Sequence, residues 1–263
     1  MKYNALIGTA TKQGERMSKP TVLLVDDNVF HRHGVQMYLE HHDFVTLTAV
    51  DAQTAWCLAA DQQPDVAIID IVIPPTPQDC ANVRHSVGVD LAIRLKRAYS
   101  TMGIVLFSSY EDRGHDVLAL ALEGVLGIAY QLKGIRADSL LKVVYGVMAG
   151  QVIIDRHITG VRQAAAEVLD RLPAAERAWT LHALEKLDLL SPREYETARG
   201  VGMGYQQRKI AENLSISAKA VENYIYRIYS KLDFNLMSEE HPYLRKDFIL
   251  AKALLVHDLN NKA

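Results

Sequence analysis

Cysteine is nearly absent. Of 263 residues only Cys57 and Cys80 carry a thiol, with no CxxC and no Cys/His spacing, which argues against a disulfide framework and a zinc site. A reducing cytoplasm fits that scarcity best. Long apolar runs are missing too. No stretch approaches the ~18 apolar residues that a membrane-spanning helix needs. The longest apolar stretch near the start, around Ala5 to Ile7, is too short for a signal-peptide core. A soluble chain is therefore expected, with residues 1–20 as a disordered extension. An excess of one charge is also lacking: 29 Lys plus Arg stand against 31 Asp plus Glu, a formal net charge of -2. No chain-wide basic field announces a nucleic-acid partner, so any such contact must be local.

What is present divides the chain in two. From residue 21 to 150, short apolar runs alternate with helical patterns: TVLLV (21–25), DFVTLTAV (43–50), DVAIID (65–70), GIVLF (103–107) and GIAYQL (127–132). Several of these runs are continuously apolar, as parallel strands covered on both faces must be. The spacing predicts a doubly wound α/β domain with a five-stranded parallel sheet. After Gly150 only helical patterns continue, interrupted by Pro173 and by the polar stretch 238–246. Residues 151–187 read as a helical linker and 188–263 as an all-α helix-turn-helix domain.

The strand ends carry the chemistry of the first half. Asp26 and Asp27 close the first run, Asp70 the third and Ser108 the fourth, and Lys133 follows the fifth. In an open parallel sheet the carboxyl ends converge on one crevice where ligands bind. Three crowded carboxylates call for a cation, and an oxygen-rich set suits Mg²⁺. With a metal, a carboxylate nucleophile, a hydroxyl and an ammonium, such a crevice can accept a phosphoryl group.

In their order the motifs VDDN (25–28), IIDIVIP (68–74), LFSS (106–109) and YQLK (130–133) resemble the receiver domain of two-component response regulators. The resemblance implies a flavodoxin-like receiver over 21–150, with Asp70 as phosphoacceptor and Asp27 as direct Mg²⁺ ligand. Asp26 helps hold the metal, as does the backbone carbonyl of Val72. Ser108 and Tyr130 form the switch pair, and Lys133 binds phosphate; Tyr130 alone reads equally well as a core tyrosine. Two departures stand out beside the acceptor. Val72 and Tyr110 put bulk where the attacking water would come, which predicts slow loss of the phosphoryl group. The connection 74–87 is longer than the usual ~2–6 residues. It reads either as a lid or specificity element or as a tolerated insertion.

From Leu190 a capping box is written in Ser191, Pro192 and Glu194. A short helix over 207–214, a turn at SIS and a longer helix capped by Ser217 follow. Val221, Tyr224, Ile225, Ile228 and Leu232 make one apolar stripe. The segment 190–232 resembles the output domain of NarL/LuxR-type regulators. That likeness places Glu222, Asn223 and Tyr226 against bases of double-stranded DNA, with Lys219, Arg227 and Lys231 on phosphates. Ala220, Glu222 and Tyr224 depart from the usual pattern. The glycine run GVGMG (200–204) has neither a preceding strand nor a following GK[ST], so it does not read as a nucleotide loop. The helix at 248–259 reads as a dimer contact or as core.

Together these readings predict a response regulator rather than an enzyme. Phosphoryl transfer from a sensor histidine kinase to Asp70 would control homodimerisation and operator binding, in the cytoplasm and away from membranes. The alternative is a receiver-containing adaptor whose helix-turn-helix is degenerate.

Overall fold

In the computed structural model the described residues are 19–79, 87–109, 126–134, 137–155 and 161–261. The expected extension, apart from its last two residues, lies outside them. So do Cys80, Tyr110 and the 80–86 part of the long connection.

The five expected strands form: β1 (Thr21–Val25), β2 (Val45–Ala49), β3 (Val66–Asp70), β4 (Gly103–Ser108) and β5 (Ile128–Leu132). A sixth, β6 (Val152–Ile154), extends the sheet, whose order is β2-β1-β3-β4-β5-β6 with every pairing parallel. The expectation of five strands is thereby corrected. The stretch read as helical linker begins with this three-residue edge strand, too short for a pattern to reveal. Its first amide, on Val152, donates to the carboxylate of Asp258 at 2.9 Å, so a side chain from the far end of the chain covers the sheet edge.

Around the sheet pack α1 (Val29–His41), α2 (Ala52–Gln62), α3 (Val87–Ala98) and α4 (Ala137–Met148). Alternation within buried strands supplies two cores. Val22, Leu24, Val66, Ile68 and Val105 face α1 and α4, while Leu23, Val25, Ile69 and Leu106 face α2 and α3.

The remainder is helical: α5 (Val161–Asp170), α6 (Ala174–Lys186), α7 (Pro192–Gly202), α8 (Gln207–Leu214), α9 (Ala218–Lys231), α10 (Phe234–Glu240) and α11 (Lys246–Asn261). Ile249, Leu250, Leu254, Leu255 and Leu259 of α11 are wholly buried, and the helix packs against α5, α6 and α7. The core-packing reading of this helix is realised. The apolar cluster beneath α2 and α3 runs on without a break into residues of α7, α9 and α11.

Candidate functional site

The chain turn that ends β1 also starts α1. Asn28 caps that helix by accepting from the amides of Phe30 and His31, both at 3.1 Å, while its own amide donates to Asp26 at 2.8 Å. Asp26 is thus held by main chain on one side. On the other, one turn into α1, His31 Nδ1 lies 2.5 Å from its carboxylate and Arg32 donates to its carbonyl at 2.5 Å. Neither residue was singled out from the sequence. The available signal was their place one helical turn beyond the acidic pair, which sets them above it.

At the end of β3, Asp70 accepts from the amide of Val72 at 3.1 Å. The Val72 side chain packs half-buried against the core. Lys133, just past β5, reaches across the strand ends and donates to Asp70 at 2.6 Å and to Asp26 at 2.9 Å. Ligand oxygens of Asp26, Asp27 and Asp70 lie within 4.8 Å of one another. Burial pushes the Asp70 carboxyl up, only partly opposed by Lys133. Burial acts in the same direction on Asp26, but the His31 and Lys133 hydrogen bonds outweigh it and hold that carboxyl below its usual value. Lys133 is depressed by burial and raised more strongly by its two carboxylates, so it remains an ammonium.

Ser108 ends β4 within the same crevice, 1% exposed, and Tyr130 on β5 is fully buried beneath it. The structure therefore gathers the sequence-derived carboxylates, Ser108 and Lys133 at one end of the sheet, with Tyr130 in the core below. The donor set is all oxygen and anionic except for Lys133, whose ammonium bridges two of the carboxylates. A hard divalent cation fits such a set.

One residue beyond the expected motifs shapes the surroundings of Asp70. A Cβ on Gly88, in the first turn of α3, would stand 2.0 Å from the Asp70 carbonyl oxygen and 2.8 Å from Ile71 Cα. Glycine is what lets α3 lie directly on the end of β3.

In the helical half the capping box forms as read: Ser191 Oγ accepts from Glu194 N at 3.4 Å and Glu194 accepts from Ser191 N at 2.8 Å. Ser215 turns the chain in the left-handed region (φ 52°), and Ser217 caps α9 by accepting from Ala220 N at 3.1 Å. Val221, Ile228 and Leu232 are fully buried. Lys219, Glu222, Asn223, Tyr226 and Arg227 are exposed along one face of α9, with Tyr226 at 71%. Two of the expected cations are engaged within the protein. Lys219 pairs with Glu222 at 2.8 Å on the surface, whereas Lys231 donates to buried Glu194 at 2.6 Å and to Leu189 O at 3.0 Å. Lys231 thus closes the capping box of α7.

Residues 22–144 match the response regulator receiver domain family, and residues 188–238 match the bacterial regulatory proteins of the luxR family. Similar proteins include the oxygen regulatory protein NreC of Staphylococcus haemolyticus, 25% identical over 231 residues that cover 87% of this chain and 98% of NreC. The transcriptional regulatory protein LnrK of Bacillus subtilis is 27% identical over 218 residues, 80% of this chain and 90% of LnrK. Among solved structures, the RcsB response regulator of Salmonella typhimurium is similar over 82% of this chain and 93% of its own, at 19% identity and a TM-score of 0.44.

Proposed function

From the premise that this chain belongs to the two-component response regulators of the NarL/LuxR type, transcription regulators rather than enzymes, we propose that its output is switched by phosphoryl transfer to Asp70. The observation that carries this reading is the Lys133 ammonium spanning Asp70 and Asp26 at the carboxyl end of the sheet.

A carboxylate oxygen of Asp70 attacks the phosphorus of a phosphohistidine on a sensor kinase, or of a small acyl phosphate. The P–N or P–O bond to the donor breaks as the new O–P bond forms, and the donor leaves with that electron pair. Asp26, Asp27, Asp70 and the Val72 carbonyl would hold a Mg²⁺, which when bound would neutralise charge on the transferring group. Lys133 places a second positive charge on the same side, and the Ser108 hydroxyl is available to a phosphoryl oxygen. A bound phosphoryl group adds roughly two negative charges, enough to draw Ser108 and repack the core around Tyr130.

The exposed face of α9 reads double-stranded DNA, with Glu222, Asn223 and Tyr226 toward base edges and Lys219 and Arg227 on phosphates. A homodimer presents two such helices to two half-sites. The cytoplasm is the compartment where such a target is met. Among the described residues no helix is long and apolar enough to cross a membrane.

Incubation with acetyl phosphate and Mg²⁺ should add one phosphoryl group per chain, read by intact mass, and Asp70→Asn should abolish the gain. DNA-site selection with the full chain should then strengthen on phosphorylation in wild type alone. Equal phosphorylation of Asp70→Asn, or equal selection in every arm, overturns the proposal.

A further inference from the structure

Lys219 and Glu222 stand at the second and fifth positions of α9, with the ammonium of one 2.8 Å from the carboxylate of the other. Their side chains are 73% and 57% exposed, so the pair takes no part in the packing that Val221 and Ile228 provide on the other side of the helix. Ser215, Ser217, Ala218 and Ala220 beside it are all small. Nothing bulky in the turn or in the first helical turn therefore holds a partner away from these two groups.

An exposed ion pair of this sort contributes little to folding stability. Its charges cancel, so it adds no net attraction toward a phosphate backbone either. What it does offer is an acceptor and a donor side by side at hydrogen-bond distance.

The major-groove edge of a base pair presents the complement. C·G sets the N4 amine of cytosine beside the O6 oxygen of guanine, and A·T sets the N6 amine of adenine beside the O4 oxygen of thymine. In each pair the two atoms hydrogen-bond to one another and so lie ~2.9 Å apart. Glu222 over the amine and Lys219 over the oxygen match both pairs at this level. The flanking atoms separate them. Adenine carries the acceptor N7 next to its amine, which a carboxylate cannot satisfy, whereas cytosine carries only a C–H there. Thymine carries a methyl next to its oxygen, whereas guanine adds N7, a second acceptor for an ammonium with three protons. Both flanks favour C·G. The reversed pair fails, because it sets the carboxylate against the guanine acceptors and the ammonium against the cytosine amine.

We propose that Lys219 and Glu222 act as one reading unit that selects a C·G base pair, with cytosine under Glu222 and guanine under Lys219. This rests on the reading of α9 as the helix that contacts DNA, and it takes Lys219 from the phosphates to a base edge. A lone carboxylate entering the groove of a polyanion is repelled; with Lys219 beside it the unit enters neutral. Its contribution is then selectivity, made by hydrogen bonds that the wrong pair leaves unmet.

Selection by the full chain from a pool of randomised DNA duplexes tests this, with untreated protein and with protein incubated with acetyl phosphate and Mg²⁺. Wild type should select C·G at one position for each bound α9. Glu222→Gln should turn that position to A·T, because a glutamine amide answers both N6 and N7 of adenine, and should leave the other positions as they were. Lys219→Ala should relax the same position and weaken binding to the wild-type site about tenfold. Both side chains are exposed, so both variants keep the fold. Unchanged selection by Glu222→Gln overturns the proposal and leaves α9 a reader of DNA. Unchanged selection by Lys219→Ala with a salt slope lower by about one does the same, since that is the mark of a phosphate contact. No selected sequence with wild type in either state overturns both the pair and the reading of α9 beneath it.

Discussion

Gly88 shows how a single residue can govern the setting of Asp70 through packing alone. A methyl group at that position meets the Asp70 carbonyl oxygen at 2.0 Å, so Gly88→Ala must lift α3 or displace the end of β3. Overpacking of this kind costs about 1–3 kcal/mol. Urea denaturation should show that loss, and acetyl phosphate should label Gly88→Ala more slowly than wild type. Buried Lys96 makes a second prediction at this scale. Its folded value of about 7 lies below the 10.5 of a free ammonium, so between those pH values the unfolded chain holds a proton that the folded chain has lost. Stability should therefore rise with pH across that interval, and Lys96→Met should flatten the rise. The neighbouring Arg245 and Asp247 hold each other in their charged forms. Denaturation at pH 7 and pH 9 checks both chains; equal slopes would show that Lys96 is not the group responsible.

At the scale of elements, α9 illustrates how one helix can divide its polar residues between open surface and structural support. Lys219, Glu222, Asn223, Tyr226 and Arg227 point to solvent, but Lys231 on the same helix closes the capping box of α7 through Glu194. Burial tends to raise the Glu194 carboxyl, and Lys231 and Ser191 outweigh it, so the glutamate is held ionised. Lys231→Met should accordingly cost about 1–3 kcal/mol by leaving a buried carboxylate without its cation. The salt dependence of DNA binding should barely change. Arg227→Ala should do the reverse, keeping stability within about 0.5 kcal/mol while lowering the salt slope by about one. If Lys231→Met lowers the slope equally, Lys231 contacts phosphate after all. The spacing of α9 revealed its buried stripe, because a period of three and four is a property of the helix alone. That Lys231 is already paired was not legible, because its partners lie 37 or more residues away in the chain.

At the scale of the whole molecule, the receiver's last strand and the output domain share one polar network. Arg199 of α7 donates to Asp258 of α11 at 2.7 and 2.9 Å and to the Gly150 carbonyl at 3.0 Å, while Asp258 also accepts from Val152. Arg199 and Asp258 are 8% and 6% exposed, so the pair is largely desolvated. Removing one partner of such a pair typically costs about 3–5 kcal/mol. Asp258→Asn, which keeps the acceptor for Val152 but not the charge, should split a single unfolding transition into two as the output helices part from the sheet. Burial raises the Asp258 carboxyl, but His257 and Arg199 more than reverse it, leaving it below the ordinary 3.8. The stabilisation is therefore complete above about pH 4 and is lost as the pH falls through the depressed folded value, a loss Asp258→Asn should not show. This network joins the amino-terminal side of β6 to the output helices, at the opposite end of the sheet from Asp70, and the polar face of α9 stays exposed.

By itself the sequence determined the alternation of strands and helices, the four ordered motifs around Asp70, and both helix caps flanking the turn-helix unit. Each is written in local periodicity or in a residue type at a strand end, where a short stretch of chain suffices to specify the conformation. Only the tertiary structure decided that Val152 to Ile154 add a strand, that α11 is a core helix, and that Lys231 and Asp258 are structural ions. It also decided that Lys96 is buried, because a lysine in the last turn of an amphipathic helix has every local reason to face water. These outcomes depend on groups far apart in the chain meeting across a desolvated interface, and no pattern within either segment records its partner.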